Sequence, residues 1–389
     1  MGTPLTSRDR VLTALDHREP DRVPFDLGGT FVTSAHHVAY RRIRGALGLD
    51  PDATQVADIR LGLAWVDREV RDRLGADVGI VATQPPDPSS WQLEVRDAGR
   101  YWELTDEYGM LWRQPKDGGL YFDLAGSPLA GDITPADVRR YPWPDPADPH
   151  RFTNLRADCE RVVLEEGRAS ACKGIIAGTL ETSLWMRGFE QFFMDLIEEP
   201  ALAGAILDRV LEVKLRFWEQ VLGRIGDLLD VVYDADDYGG QEAPLIAPDL
   251  WRRMVKPRIA ELYRYIHEHS RAKVFLHSDG AIRELIPDLI EAGVDALNPV
   301  QFTAAGMDLA SLKTEFGREL CFWGGGVDTQ GVLPRGTPQQ VRDQVRRCVE
   351  TLMPGGGYVF ATVHNTQADV PPENFLAMWE AFREAGVYA

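Results

Sequence analysis

From about residue 150 onward, short apolar runs alternate with longer segments whose apolar residues recur at helical spacing. The runs are GIIAG (174–178), LDVVYD (229–234), KVFLHS (273–278), DALNPV (295–300), LCFWGG (320–325) and YVFATV (358–363). The helical segments cover 151–166, 181–196, 200–224, 248–270, 281–292, 308–316, 337–352 and 373–385. A strand followed by a helix, repeated, predicts a parallel sheet covered by helices. Upstream, 7–17 reads as a helix with Val11, Leu12 and Leu15 on one face and Ser7 as its cap. Pro20 and Pro24 end it, and Val23–Leu27 reads as a strand closed by Gly28 and Gly29. Segments 36–47 and 61–74 look helical, and 77–82 (DVGIVA) looks like a buried strand. Six later units and two early strands make eight, the count of a (β/α)8 TIM barrel.

Between residues 91 and 123 the pattern is short, alternating and aromatic (WQLEVRD, RYWELTDEYG, MLWRQ, LYFDL), which predicts a small antiparallel insertion of two or three strands. The Pro-rich stretch 141–149 reads as a surface spacer. The expectation is one barrel domain over 1–389, with the insertion and the spacer as embellishments. No GxGxxG follows the first strand, which argues against a dinucleotide-binding sheet.

Composition narrows the function classes. A hydrophobic fraction of 44% in 389 residues is ample for a core. The net charge of −18 argues against nucleic acid or an anionic membrane surface as the main partner. The charged N-terminal segment lacks the apolar stretch of a secretory leader, and no run approaches the length of a membrane span. Cys159, Cys172, Cys321 and Cys348 are scattered, with no CxxC, so neither a disulfide framework nor a zinc knuckle is expected. These features predict a cytoplasmic protein acting on a small molecule.

Polar residues crowd the C-terminal ends of the apolar runs. A barrel gathers those ends at one mouth, so distant residues converge there. The candidates are Asp26, Asp236, Asp237, Gln241, His277, Asp279, Asn298, Gln301, Asp328, His364, Asn365 and Gln367. Of these, His277, His364 and Asp236 are read as catalytic. Asp26, Asp237, Gln241, Asn298, Gln301, Asp328, Asn365 and Gln367 are read as substrate-binding. Two imidazoles and a carboxylate (His277, Asp279, His364) form an adequate zinc set with a position left for substrate. The same groups without metal would serve acid/base chemistry. His36 and His37, at a helix start, read as rim residues; His267 and His269 read as solvated; Cys321 reads as packing.

Five ordered blocks carry a resemblance: RDRVLTALDHREPDRVPFDLGG (8–29), DADDYGGQEAPLIAPDLWRRMVKPR (234–258), VFLHSDGAIRELIPDLIEAGVDALNPVQ (274–301), FWGGGVDTQGVLPRGTP (322–338) and PGGGYVFATVHNTQADVPPENFLAM (354–378). The sequence resembles the uroporphyrinogen decarboxylase superfamily, which includes corrinoid-dependent methyltransferases. The resemblance implies a (β/α)8 barrel. The decarboxylases of that superfamily hold their substrate's carboxylates with an Arg-rich N-terminal segment, whereas this chain has no arginine between Val23 and Tyr40. The methyltransferases carry an HxC motif and a distant Cys or His around zinc. His277 matches the histidine, Asp279 stands at the cysteine position, and His364 matches the distant ligand. A carboxylate in place of a thiolate favours oxygen substrates or a harder ion.

The resemblance therefore implies demethylation of a small methoxylated compound, assisted by zinc, with a corrinoid (cobalamin), free or on a corrinoid protein, as methyl acceptor. It also admits a homodimer. Two other readings stay open: a cofactor-free decarboxylase acting on a small aromatic or pyrrolic acid, and a non-catalytic barrel that binds corrinoid.

Overall fold

Inward and outward side chains alternate along every strand of a parallel sheet, so each strand faces the barrel axis with one set and the helices with the other. The computed structural model describes residues 5–388. Seven parallel strands follow chain order around the sheet: Val78–Val81, Ala169–Lys173, Val231–Ala235, Lys273–His277, Ala296–Asn298, Cys321–Trp323 and Tyr358–Val359. Phe25 closes the circle. Asp77 N donates to its carbonyl at 2.7 Å, Asp26 N donates to Phe360 O at 2.9 Å, and Phe360 N donates to Pro24 O at 2.8 Å. This eighth stave, read from sequence as the strand 23–27, is no longer than an isolated bridge. Pro24 has no N–H to give, and the Phe25 N–H is taken by the Asp77 carboxylate at 2.8 Å. Arg10 and Arg22 hold that carboxylate, each at 2.7 Å.

Ala169, Ala171, Val231, Tyr233, Phe275, Trp323 and Val359 fill the interior. The helix Ser7–Leu15 plugs the N-terminal end of the barrel with Val11, Ala14 and Leu15. Its cap is Thr6, whose hydroxyl accepts from Asp9 N, one residue ahead of the expected Ser7. Val232, Val274, Leu276 and Phe322 point outward and pack under the helices.

Several predicted elements shift. The second strand is Ala169–Lys173, and the run 174–178 is the loop that follows it. The alanines are the inward residues, because a crowded barrel axis favours small side chains, and so the strand is less apolar than its loop. The segment 61–74 is helical only over Arg68–Leu74; Leu63–Ala64 pairs with Val56–Asp58 in a short antiparallel hairpin. The helical segment 181–196 breaks at Gly188, whose φ of 94° no L-residue adopts cheaply. The insertion has four antiparallel strands: Arg96–Ala98, Tyr101–Thr105, Leu111–Pro115 and Asp123–Gly126. It reaches the barrel through Trp112, whose ring meets Trp185 of the helix Thr179–Arg187 edge-on at 5.2 Å. No helix among the described residues is long and apolar enough to cross a membrane.

Candidate functional site

The strand Lys273–His277 ends with an inward residue, His277, at the C-terminal mouth. The next strand ends on Asn298, whose Nδ2 donates to Trp323 O at 2.8 Å. A carbonyl can only accept, so the amide presents its Oδ1 to His277, 2.6 Å from Nδ1. In its neutral form His277 therefore carries its proton on Nδ1 and leaves Nε2 bare. That nitrogen lies 3.7 Å from Asp279 Oδ2, and His364 Nε2 lies 3.6 Å from the same oxygen. The three ligand atoms fall within 4.8 Å of one another. Both imidazole–carboxylate separations are too long for hydrogen bonds. They are close to the roughly 3.4 Å that separates neighbouring ligands of a tetrahedral zinc with bonds of about 2.0–2.1 Å. Side chains that converge without bonding one another leave room for an ion, and the set fits a divalent cation. Burial holds His364 below the ordinary imidazole range, which favours the neutral, ligating form.

The loop between these ligands is braced. Asp279 N donates to Asp237 Oδ1 at 2.9 Å, and Gly280 N donates to Gln301 Oε1 at 2.8 Å. Gln301 Nε2 reaches Gln241 Oε1 at 3.0 Å. Burial, with the nearby Asp279 charge, raises Asp237 above the usual carboxylate range.

A cavity of about 380 Å³ opens beside the three ligands. Trp112, Tyr121, Phe122, Trp185 and Tyr233 form its aromatic walls, and Arg60, Lys173, Glu181 and Asp237 its charged ones. Burial depresses Lys173, while burial and then Asp237 and Asp236 raise Glu181 well above its ordinary value. Arg60 lies over the ring of Trp112 at 4.8 Å and of Trp185 at 5.7 Å.

The predicted residues divide. His277, Asp237, His364, Asn365 and Gln367 line the cavity, with Asp279 beside it. Asn365 Nδ2 donates to Phe31 O at 2.5 Å, and Gln367 accepts from the Tyr121 hydroxyl. Asn298 acts on His277 from behind. Gln241 and Gln301 brace the loop rather than face the cavity. Asp236, expected to be catalytic, turns away: its carboxylate caps the helix Thr179–Arg187 by accepting from Leu180 N at 2.9 Å and Glu181 N at 2.7 Å, and takes the Tyr238 hydroxyl at 2.9 Å. Asp328 holds its own turn through Gln330 N and Gly331 N. Asp26 sits within the barrel, accepting from Gly29 N at 2.8 Å and Trp323 Nε1 at 2.9 Å. His36, expected at the rim, is buried and lines the cavity. His267 is partly exposed and pairs with Asp295, and Cys321 packs inside the barrel.

Arg60, Trp112, Lys173, Glu181 and Trp185 escaped sequence reading. Lys173 ends a strand, as His277 does, and a correct placement of that strand would have marked it. Arg60 and Trp112 reach the mouth only through the hairpin and the insertion.

A sequence profile described as "Uroporphyrinogen decarboxylase (URO-D)" matches residues 124–385. A curated uroporphyrinogen decarboxylase of Psychromonas ingrahamii is 26% identical over 276 residues, covering 68% of this chain and 73% of that protein. One of Pseudomonas fluorescens is 22% identical over 275 residues, with 68% and 73% covered. The solved structure of a methyltransferase from Methanosarcina mazei superposes with a TM-score of 0.65 at 15% identity, covering 98% of this chain and 99% of that one.

Proposed function

This chain belongs to the uroporphyrinogen decarboxylase family, and on that premise we propose that it is a methyltransferase that demethylates a small methoxylated compound, with a corrinoid as methyl acceptor. The observation that carries the reading is the meeting of His277, Asp279 and His364 at one end of an aromatic cavity, with Asn298 holding His277 in the ligating tautomer. His277, Asp279 and His364 would hold a divalent ion, which would supply Lewis-acid polarisation of the ether oxygen.

The chain's own residues do the rest. Trp112, Phe122 and Trp185 exclude water and orient the substrate. Asp237 and Glu181, both kept protonated more readily than ordinary carboxyls, line the cavity and would hand a proton to the oxygen that the methyl leaves. The methyl would leave its bonding pair on that oxygen, and the electron pair for the new bond would come from the reduced acceptor. A corrinoid is too large for a cavity of about 380 Å³, so it would meet the substrate at the mouth. Leu61, which lines the cavity, is exposed, as are Ile59 and Leu120, the chain neighbours of the lining residues Arg60 and Tyr121.

The size of the cavity also supports a small substrate over a polycarboxylate tetrapyrrole. Arg60 and Lys173 are the only Lys or Arg side chains among the described residues that line it.

The test is to measure metal content by elemental analysis, then follow methylcobalamin formation in visible spectra from reduced cobalamin and methoxylated aromatics. Methyl transfer that disappears on chelation and returns with zinc is the expected result. Carbon dioxide release by the chelated protein, without methyl transfer, would instead establish the decarboxylase reading.

A further inference from the structure

The cavity brings together acidic and basic side chains. Asp237, Asp279, His277 and His364 stand together. Lys173 and Arg60 also line the cavity, and the buried Glu181 carboxyl, raised well above its ordinary value, lies near both groups. The Lys173 ammonium makes no hydrogen bond or ion pair within 4.0 Å among the described residues; its near neighbour is the face of the Phe31 ring at 5.1 Å. Arg60 has only Asp58, at 3.9 Å. That carboxylate also accepts the N–H groups of Arg60 and Leu61, at 2.9 and 3.1 Å. Arg60 is otherwise spread over the rings of Trp112 and Trp185.

Cations half-buried in an aromatic wall and left without close counter-ions are costly unless a ligand completes them. Lys173 and Arg60 are the only Lys or Arg side chains among the described residues that line the cavity, so a carboxylate finds its protein counter-charges there. That contact would orient an amphiphilic acid in the cavity.

We propose that the cavity is a recognition site for a methoxylated aromatic monocarboxylate, its carboxylate held by Lys173 and Arg60 and its ring between Trp112, Trp185 and Phe122. The assignment rests on the methyltransferase reading only for the methoxy group placed at the His277 end; the carboxylate end stands on its own geometry. Arg60 is the better placed for a bidentate contact, since its guanidinium already lies over the rings of Trp112 and Trp185 that would flank the ligand. Lys173 adds a point charge at the floor, from the end of its strand.

Titration of intrinsic tryptophan fluorescence tests this, because Trp112 and Trp185 line the site. The full chain, as purified and after chelation, is titrated with para-methoxybenzoate and with uncharged para-methoxybenzamide. The acid is expected to bind about tenfold tighter or better, a preference that one well-placed charge contact supplies. Added salt should erode it. Lys173→Met and Arg60→Gln should each shrink the preference and together abolish it, and thermal melts near those of the unaltered protein report that the variants are folded. His277→Ala should leave the preference intact. Equal affinity for acid and amide, a preference that survives both substitutions, or no binding of either at millimolar concentration would overturn the proposal. Loss of methyl transfer with the acid preference retained would overturn the proposed reaction alone.

Discussion

Nδ1 of His277 and Oδ1 of Asn298 lie 2.6 Å apart, and the far end of the same amide is committed to the carbonyl of Trp323 at 2.8 Å. Three consecutive barrel strands thus act on one imidazole: the first carries it, the second sets its tautomer and the third anchors the setter. The site's chemistry depends on a residue that never touches the cavity.

Removing that setter is the first prediction. Asn298→Ala frees the His277 ring to rotate and to protonate either nitrogen. Zinc affinity, measured by chelator competition, is expected to fall about 10–100-fold, the usual cost of losing a partner behind a ligating histidine. Unchanged affinity would mean that the tautomer is set elsewhere or that no ion is held.

Asp279 determines the character of the ion. Asp279→Cys places a soft thiolate between the two imidazoles, so preference for cadmium over magnesium or manganese should rise sharply in competition binding. A variant with the metal preference of the unaltered protein would show that Asp279 is not a ligand.

Asp236 is expected to support the site without taking part in the chemistry. Asp236→Ala strands the N–H groups of Leu180 and Glu181 and the Tyr238 hydroxyl. Each stranded buried donor costs about 1–3 kcal/mol, so denaturant unfolding should register a clear loss. Turnover per folded molecule should fall by less than about tenfold, whereas a residue in the proton path would cost about 10²–10⁴.

Asp26 makes stability depend on pH. Burial raises its pKa from 3.8 to about 6. Between those values the folded chain holds a proton that the unfolded chain has released, so stability falls as pH rises through the window. The contribution is complete below about pH 4 and lost by about pH 7, a span worth about 3 kcal/mol. Asp26→Asn, which keeps the shape, should flatten that part of the profile in thermal melts taken across the window. An unaltered slope would place the titrating group elsewhere.

Much of the barrel was legible because each strand that ends in chemistry is an apolar run followed by polar loop residues. KVFLHS became the strand Lys273–His277, and LDVVYD contains most of Val231–Ala235. The strand Ala169–Lys173 was not legible, because its inward alanines carry little apolar signal while the isoleucines of the next loop carry more. Lys173 was lost with it. His277, Asp279 and His364 could be picked out from residue type at strand ends. Asp236 and Asp328 show the same sequence signature yet spend their carboxylates on backbone N–H groups. Side-chain direction at a strand end depends on the helix or turn packed beside it, which residue type does not encode.

The amino-acid order by itself determined the alternation of strand and helix, the acidic composition without a long apolar run, and the three side chains that could ligate an ion. These follow from local periodicity and from the chemistry of single residues. Only the tertiary structure decided that Phe25 closes the barrel with one bridge, that Arg60 and Trp112 come from separate β elements to the mouth, and that Lys173, Arg60, Glu181 and Asp237 share one cavity. Those features arise from contacts between segments far apart in the chain, set by barrel closure and by how the insertion packs against Trp185.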